Sequence, residues 1–400
     1  MRHNILLAAV AASLATTAMA QTFTVSGTIP GMKRGTRVAL RSAEQRRDID
    51  FQCLSDGEGF TISGSVESPV LVELRIDDKP AADYAEGERP EERGVRFMLE
   101  GTAYQVSANH LDSLPLVYSP TKPLLPKARN ISIVGGEAQR QYAEWADATY
   151  SLRLASEALD LQLRMEKYWH AKDKTMDTAK VERLEALAAA AERKAEEANR
   201  RFISNHRDYA VSLLLQHKAI DKPFAFTPSE FDSLKAAFAH NYDRRRYAAF
   251  LQTLEHMRQY PKGCALRDLA LTAADGRTTR LSQMVEAGKW NFIDFWASWC
   301  GPCRAAIPEV KKMHEAYGHR LNILSLSVDK READWRKAMA DEQMPWPQLL
   351  VPQTEMKQMK VSYYIEYIPS LVVVSPEGRI MLFTSDAKEA HDYLRLQLSR

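Results

Sequence analysis

The sequence predicts a multidomain protein with an N-terminal all-β sandwich or barrel, a central α-helical region and a C-terminal α/β domain. Residues 21–135 contain short segments of alternating polar and apolar residues, separated by Gly and Pro turns, as in small sandwiches and barrels. Residues 136–259 carry apolar residues at helical spacing among good helix formers. Residues 260–400 alternate apolar strands with helical segments, which is typical of an α/β sheet.

The length and charge of the chain narrow the classes of function. Its 400 residues exceed the usual size of a single domain. The 54 basic residues nearly balance the 52 acidic ones, which leaves a formal net charge of +2. A charge this small gives no electrostatic argument for binding nucleic acid or an anionic membrane, so we expect no nucleic-acid partner.

The first twenty residues are predicted to be a cleavable secretory signal peptide. Arg2 precedes an apolar stretch over 5–14, and Ala18-Met19-Ala20 has the small-x-small pattern of a cleavage site. The alternative is a transmembrane anchor, but the apolar stretch is too short to span a bilayer comfortably. We therefore expect an exported protein in the periplasm of a Gram-negative cell, a compartment that permits disulfides.

The strands predicted in the N-terminal region share a period-two alternation and end at turn residues. They are expected over 22–27, 37–41, 60–64, 70–76, 96–99 and 104–107.

In the central region, helices are predicted over 152–165 and 181–202, and the segment 227–230 (Thr-Pro-Ser-Glu) is a capping box that begins another helix. This region shows no sign of chemistry. It is either a spacer or oligomerisation arm, or a helical linker packed on its neighbours.

The C-terminal region contains an apolar strand over 290–297, which runs into a helix that begins near Cys300. A strand over 321–328 is apolar enough to lie centrally in a parallel sheet. The remaining predicted elements are a helix over 333–342, a hairpin between the strand around Val372 and 379–383, and a closing helix over 391–398.

The most informative motif is Trp299-Cys300-Gly301-Pro302-Cys303, directly after the first long strand of this region. Two cysteines separated by two residues close a small disulfide when the second lies one helical turn after the first. A helix that begins at Cys300 also places unpaired N–H groups and a positive dipole end beside its sulfur. That favours the thiolate, which is the nucleophilic form of cysteine.

The other two cysteines, Cys53 and Cys264, each stand alone. A structural zinc site usually has four ligands, often in two close pairs, so we expect no metal at Cys300 and Cys303, and no other cofactor. In an oxidising compartment, Cys53 and Cys264 either form a bridge between the β-domain and the C-terminal domain or remain two buried thiols. The sequence does not decide between these alternatives.

Two motifs resemble those of one family. The segment 294–303 looks like the active-site stretch of thioredoxin, and Ile368-Pro369 followed by an apolar strand resembles the second signature of that family. With the Asp-Gly-Arg turn at 275–277, the layout of 261–400 is similar to the periplasmic TlpA/ResA branch. The stretch 26–60 resembles an uncharacterised β-domain that often precedes exported thioredoxin-like proteins.

The resemblance implies a thioredoxin-like fold and a redox-active disulfide between Cys300 and Cys303. Cys300 is expected to attack at the exposed end of the helix. Cys303, one turn deeper, then attacks Cys300 in the mixed disulfide and releases the substrate as a dithiol. Gly301 and Pro302 set the distance between the sulfurs, and this dipeptide resembles that of thioredoxin, which goes with a reducing poise.

Asp294 interrupts an apolar strand, and a buried carboxylate without a partner is costly. Desolvation raises the pKa of such a group, which suits a general base for Cys303, and the matching Asp of thioredoxin does that work. The alternative is a strand-end Asp turned toward solvent. Two departures from the family pattern leave the tuning of proton transfer open: Ala306, where the exported branch often has Glu, and Ser325, where thioredoxin has Lys.

The resemblance further implies a cis peptide bond before Pro369, whose alternative is an ordinary trans proline. The backbone of Ile368 would then hydrogen-bond an extended substrate strand. Of the two tryptophans near the motif, Trp299 is expected to offer a substrate platform and Trp296 to lie in the core.

The leading hypothesis is an exported thiol–disulfide oxidoreductase that reduces protein disulfides and is itself re-reduced by a membrane electron donor of the DsbD/CcdA type. Cytochrome c maturation and envelope disulfide repair are both compatible uses. One alternative is a disulfide oxidase or isomerase, and another is an envelope binding protein with a redox switch. A peroxidase is disfavoured, because the Thr-x-x-Cys arrangement of peroxiredoxins is absent around Cys300. The sequence leaves the oligomeric state and the substrate open.

Overall fold

The computed structural model describes residues 20–44, 49–117, 130–173, 177–220 and 223–399, and the side chains of these residues except those of 168–173. The predicted signal peptide lies outside the described residues, apart from Ala20. The chain divides into two compact units. The N-terminal unit comprises Met1–Gln216 and Phe238–Ala249, and the C-terminal unit comprises His217–Ala237 and Phe250–Arg400.

The β-rich part of the N-terminal unit has two sheets, each with four strands among the described residues. The strands are β1 (Gln21–Thr28), β2 (Arg37–Ser42), β3 (Asp50–Leu54), β4 (Gly59–Val66), β5 (Val70–Asp77), β6 (Glu92–Leu99), β7 (Ala103–Ala108) and β8 (Ile131–Val134). The first sheet has the order β4-β1-β7-β8 and the second has the order β3-β2-β5-β6. Neighbouring strands are antiparallel except β1 and β7, which are parallel.

The two sheets enclose one hydrophobic core, which contains Phe23 and Val106 of the first sheet and Val38 and Phe97 of the second. The core forms because alternate residues of each strand point to the same face. Two sheets packed face to face form a sandwich, which decides between the sandwich and the barrel.

The central segment is helical, as predicted. Its helices are α1 (Glu137–Asp173), α2 (Thr178–Asn205), α3 (Ala210–Ile220), α4 (Pro228–Ala237) and α5 (Arg244–Met257). Helices α1 and α2 pack against each other, and the indole N–H of Trp145 donates to Asn199 Oδ1 at 2.9 Å. Trp145 and Phe202 share a second core with Leu71 and Met98 of the sandwich, so these helices cover the outer face of β5 and β6.

The predicted capping box at the start of α4 is confirmed. The backbone N–H of Thr227 donates to Glu230 Oε2 at 2.7 Å, and the N–H of Glu230 donates to Thr227 Oγ1 at 3.4 Å. None of the helices among the described residues is both long and apolar enough to cross a membrane.

The C-terminal unit is built on a sheet with seven strands among the described residues, in the order β10-β9-β13-β12-β11-β14-β15. The strands are β9 (Ala270–Ala273), β10 (Thr278–Arg280), β11 (Trp290–Trp296), β12 (Leu321–Ser327), β13 (Gln348–Leu350), β14 (Ser370–Val374) and β15 (Ile380–Thr384). The helices are α6 (Leu281–Met284), α7 (Gly301–Tyr317), α8 (Glu332–Glu342), α9 (Met356–Tyr363) and α10 (Ala387–Leu398). Strands β11, β12 and β13 are parallel, and the other neighbouring pairs are antiparallel.

Strand β11 lies between two hydrophobic cores, one on each face of the sheet. Phe292 and Trp296 share a core with Cys303 of α7, whereas Ile293 and Phe295 belong to the core on the opposite face. Burial on both faces accounts for the nearly continuous apolar run of this strand. Residues two apart on a strand point to the same face. Asp294 therefore points to the same face of β11 as Phe292 and Trp296.

Candidate active site

The junction between β11 and α7 holds the two cysteines of the motif. Cys300 is the N-cap of α7 and Cys303 lies in the first turn, as the sequence predicts, and a disulfide joins them. The backbone N–H of Cys303 donates to Cys300 Sγ at 3.2 Å. Pro302 fits the first helical turn because the N–H that it lacks would have no partner inside the helix.

Both cysteines are buried in this oxidised state, with Cys300 4% and Cys303 2% exposed. The sequence led us to expect Cys300 at the exposed end of the helix, and its small accessible area differs from that expectation. One cause is the backbone of the neighbouring loop, because the carbonyl oxygen of Ile368 lies 3.8 Å from Cys300 Sγ.

The loop that contacts Cys300 carries the second motif. The peptide bond between Ile368 and Pro369 is cis, which confirms the expectation from the resemblance. Strand β14 begins at Ser370, which pairs with Phe295 in the antiparallel β11–β14 ladder. That register brings the residues just before β14 next to the residues just after β11, and it places Ile368 beside Cys300.

Asp294 lies in the middle of β11 and is buried, so the solvent-facing alternative is wrong. It falls between Phe292 and Trp296 on the face that packs against α7, which is the face that holds Cys303. Burial raises the pKa of Asp294 to about 7, and a hydrogen bond from Ser325 opposes part of that rise. The upward direction agrees with the expectation for a carboxylate inside an apolar strand.

Ser325, which stands where thioredoxin has Lys, lies directly opposite Asp294 in the parallel β11–β12 ladder. Its Oγ lies 3.3 Å from Asp294 Oδ2. Ser325 Oγ also accepts a hydrogen bond from the indole N–H of Trp346 at 2.8 Å. Trp346 comes just before β13, and no motif in the sequence marks it.

Residues 288–380 match a thioredoxin-like family model. The C-terminal unit contains a thioredoxin-like domain. In front of it, residues 23–142 match a domain of unknown function, DUF4369. These matches confirm both resemblances that the sequence suggested, the thioredoxin-like one and that of the preceding β-domain.

Similar proteins include thiol–disulfide oxidoreductases. The chain is 28% identical over 187 residues to the probable nucleoredoxin 3 of Oryza sativa, covering 45% of this chain and 35% of that protein. It is 28% identical over 107 residues to the thiol-disulfide oxidoreductase ResA of Oceanobacillus iheyensis, and the match covers 26% of this chain and 53% of that protein. ResA of Bacillus subtilis is 24% identical over 139 residues, covering 34% and 75%. The chain thus spans about a third of the length of the rice nucleoredoxin and about half of the length of the Oceanobacillus ResA.

Two solved structures also resemble this domain. The thioredoxin domain of a thiol-disulfide oxidoreductase from Bacteroides vulgatus is 27% identical, with a TM-score of 0.32, and the match covers 33% of this chain and 94% of that chain. A putative thiol:disulfide interchange protein DsbE from Chlorobium tepidum is 25% identical, with a TM-score of 0.30, covering 34% and 95%.

Asp329 is a residue of the thioredoxin-like domain that sequence reasoning missed. Its buried carboxylate accepts hydrogen bonds from Ser298 N at 3.0 Å, from Ser298 Oγ at 2.7 Å and from Ser327 Oγ at 2.7 Å. Ser298 lies in the turn between β11 and α7, so Asp329 anchors the segment that carries Cys300. The signal available in the sequence was an Asp directly after a buried parallel strand, at the edge where such sheets place functional groups.

A groove of about 790 Å³ opens beside the disulfide of the thioredoxin-like domain. Its lining includes Trp299, Ile368, Met356 and Met359. Trp299 is 70% exposed. Trp296 is only 1% exposed, which confirms that Trp296 belongs to the core. Exposed aromatic surface beside the disulfide provides apolar area that a bound polypeptide can cover.

Cys53 and Cys264 are free thiols in the structure. Both are half-buried. Burial raises the pKa of each thiol, which disfavours the reactive thiolate. Cys300 and Cys303, which are joined by a disulfide, are therefore the candidate redox pair of the thioredoxin-like domain.

Proposed function

We propose that this protein is an exported thiol–disulfide oxidoreductase that reduces protein disulfides through Cys300 and Cys303. The observation that carries the proposal is the disulfide at the N-terminus of α7, with the Ile368 carbonyl 3.8 Å from the Cys300 sulfur. A cysteine at a helix N-terminus is stabilised as a thiolate by the helix dipole and by the N–H of Cys303. The thioredoxin-like domain and the oxidoreductase names of the relatives support the same reaction.

The first chemical step begins from the reduced pair. The Cys300 thiolate attacks one sulfur of a substrate disulfide, a bond forms between Cys300 and that sulfur, and the other substrate sulfur leaves as a thiolate. In the second step Cys303 loses its proton and attacks Cys300. The mixed disulfide breaks, the second substrate sulfur leaves as a thiolate, and two electrons have passed from the protein to the substrate. Each leaving thiolate takes up a proton, so the substrate ends as a dithiol.

Asp294 is the proposed base for Cys303. It lies on the face of β11 that shares a core with Cys303, and its pKa of about 7 leaves it able both to accept and to return a proton near neutral pH. We propose no metal and no other cofactor for this exchange, because the two thiols supply both electrons.

The substrate is proposed to be an extended polypeptide segment that carries a disulfide. The backbone of Ile368 would hydrogen-bond this segment, and Trp299 together with the adjoining groove would cover its apolar side chains. The apolar part of this lining suits the apolar side chains of a protein substrate, and the groove also carries charged side chains of both signs, such as Lys360 and Glu366.

We place the reaction in the Gram-negative periplasm, because the first twenty residues read as a secretory signal. A reductase in an oxidising compartment needs a supply of electrons, and a membrane donor of the DsbD/CcdA type would provide them. Cytochrome c maturation and envelope disulfide repair are the processes that such a reductase would serve. The Gly301-Pro302 dipeptide, which resembles that of thioredoxin, favours reduction over oxidation.

The reduction potential of the Cys300–Cys303 pair tests the proposed direction of electron flow. It is measured in thiol redox buffers on a Cys53→Ser, Cys264→Ser background, which removes the other two thiols. We expect a value near that of thioredoxin, about −270 mV. A value of about −120 to −180 mV, in the range of DsbA and protein disulfide isomerase, would replace the reductase by an oxidase or isomerase.

A further inference from the structure

Behind α7, three buried side chains form a hydrogen-bonded chain that runs across the sheet from the start of β13 through β12 to β11. The indole N–H of Trp346 donates to Ser325 Oγ at 2.8 Å, and that oxygen lies 3.3 Å from Asp294 Oδ2. All three residues are buried. Polar contacts are stronger in such an environment than in water, and an unpaired polar atom there is correspondingly costly.

The chemistry of the three groups determines which atom donates in each bond. An indole N–H is a donor only, so Ser325 Oγ must be the acceptor from Trp346. The single hydroxyl hydrogen of Ser325 is then available for Asp294, whose ionised carboxylate is an acceptor only. Trp346 therefore orients the Ser325 hydroxyl toward the carboxylate, and a bond from an oriented donor favours the ionised form of Asp294.

The backbone holds these residues in place. Asp294 and Ser325 are direct partners in the parallel β11–β12 ladder. The backbone N–H of Ser325 donates to the carbonyl of Pro347 at 3.1 Å, which fixes the chain next to Trp346 against β12. Trp346 also belongs to the core that contains Cys303, so its ring is confined by packing.

We propose that Ser325 and Trp346 are positioning residues that orient and stabilise the Asp294 carboxylate through a neutral hydrogen-bond chain. The inference rests on the proposed function only in giving Asp294 a role in proton transfer. The chain itself is a property of the folded domain that can be measured without turnover.

The direct test is the titration of the Asp294 carboxyl carbon by NMR in the oxidised full-length protein. Ser325→Ala removes the donor, and we expect the pKa of Asp294 to rise by about one pH unit above the wild-type value. Trp346→Phe leaves the hydroxyl but frees its orientation, so we expect a smaller rise in the same direction. The double variant should match Ser325→Ala alone, because Trp346 acts through Ser325.

Matched controls separate this role from packing. Trp335→Phe changes another buried tryptophan of the same core, whose indole nitrogen has no hydrogen-bond partner among the described residues. Ser327→Ala removes another buried hydroxyl of β12, one that donates to Asp329 instead. Neither control should move the Asp294 titration. Ser325→Thr, which keeps the hydroxyl, should restore a titration near that of the wild type.

An unchanged Asp294 titration in both Ser325→Ala and Trp346→Phe would overturn the proposal, as would an equal change in Trp335→Phe. Should Ser325→Ala fail to fold, Trp346→Phe against Trp335→Phe decides the question alone. The pH profile of disulfide reduction distinguishes the hydrogen-bond chain from the proposed role of Asp294 as a base. If the pKa of Asp294 rises by one unit and the acid limb of the profile moves with it, activity at pH 7 should fall roughly fivefold. If only the titration moves, the hydrogen-bond chain stands and the role of Asp294 as base fails.

Discussion

The sulfur of Cys300 lies 3.8 Å from the carbonyl oxygen of Ile368, although 68 residues separate the two in the sequence. The contact follows from the pairing of Phe295 with Ser370, which aligns the end of β11 with the start of β14. A substrate chain bound at Cys300 is therefore expected to contact the backbone of Ile368.

The order of attack predicts different fates for the two cysteine variants. Cys303→Ser can form the mixed disulfide but cannot resolve it, so a Cys300–substrate adduct should accumulate on incubation with a disulfide-containing protein. Cys300→Ser should form no such adduct, and both variants should lose turnover by at least about 100-fold. Non-reducing gel electrophoresis followed by mass spectrometry identifies the adduct. Accumulation on Cys303 rather than on Cys300 would reverse the assigned roles.

Asp294→Asn is predicted to slow disulfide reduction by about 10- to 100-fold at neutral pH, since Asn cannot accept the proton of Cys303. The wild-type rate should rise with pH through about 7, where Asp294 ionises, and the variant should lack this limb. The profile is measured with a protein disulfide as substrate and dithiothreitol as reductant. A variant that retained the limb near pH 7 would assign it to another group.

Asp294→Asn should also change the pH dependence of stability. The pKa of Asp294 is raised to about 7 in the folded protein, above its unfolded value of about 3.9. Between these values the unfolded chain releases a proton that the folded chain keeps, so wild-type stability falls as pH rises from about 4 to 7. Relative to the wild type, the variant should gain roughly 3 kcal/mol over that range. Urea unfolding of the oxidised proteins at pH 4.5 and pH 8 measures the difference, and a gain that is equal at both pH values would contradict it.

Asp329→Asn is predicted to loosen the turn that carries Cys300. The carboxylate accepts three hydrogen bonds from Ser298 and Ser327, and an amide cannot accept all three because its NH₂ group is a donor. We expect a loss of about 2 kcal/mol in stability and a lower rate of disulfide reduction. Thermal unfolding and turnover are measured together.

Asp334→Asn is the matched control for that experiment. Asp334 also lines the groove, but it is only half-buried and pairs with Arg331, so its loss should cost less than about 1 kcal/mol of stability. Equal effects of the two substitutions would argue against a special role for Asp329.

Trp299→Ala should weaken substrate binding without affecting stability. The side chain is 70% exposed and lines the groove beside the disulfide. Its loss should raise KM by roughly fivefold to tenfold and leave kcat nearly unchanged. Leu396→Ala, an exposed apolar residue of α10, is the control and should change neither constant. A fall in kcat with an unchanged KM would place Trp299 in the chemical step instead.

Much of the candidate site could be predicted because its signals are local. The strand predicted over 290–297 is observed as Trp290–Trp296, and the helix expected near Cys300 begins at Gly301. Short strands were harder to recognise. Strand β13 has three residues, and strands of that length depend on pairing with their neighbours more than on their own composition.

By itself, the sequence determined the chemistry of the site: two cysteines one helical turn apart, a carboxylate inside an apolar strand, and an Ile-Pro pair before a strand. Each of these is written in adjacent residues, so periodicity and motif suffice to find it. The tertiary structure alone decided the partners, namely Trp346 beside Ser325 and Asp329 beside Ser298. Those contacts arise from the register of β11, β12 and β13 in the sheet, and the burial that raises the pKa of Asp294 exists only once α7 and the neighbouring strands have excluded water.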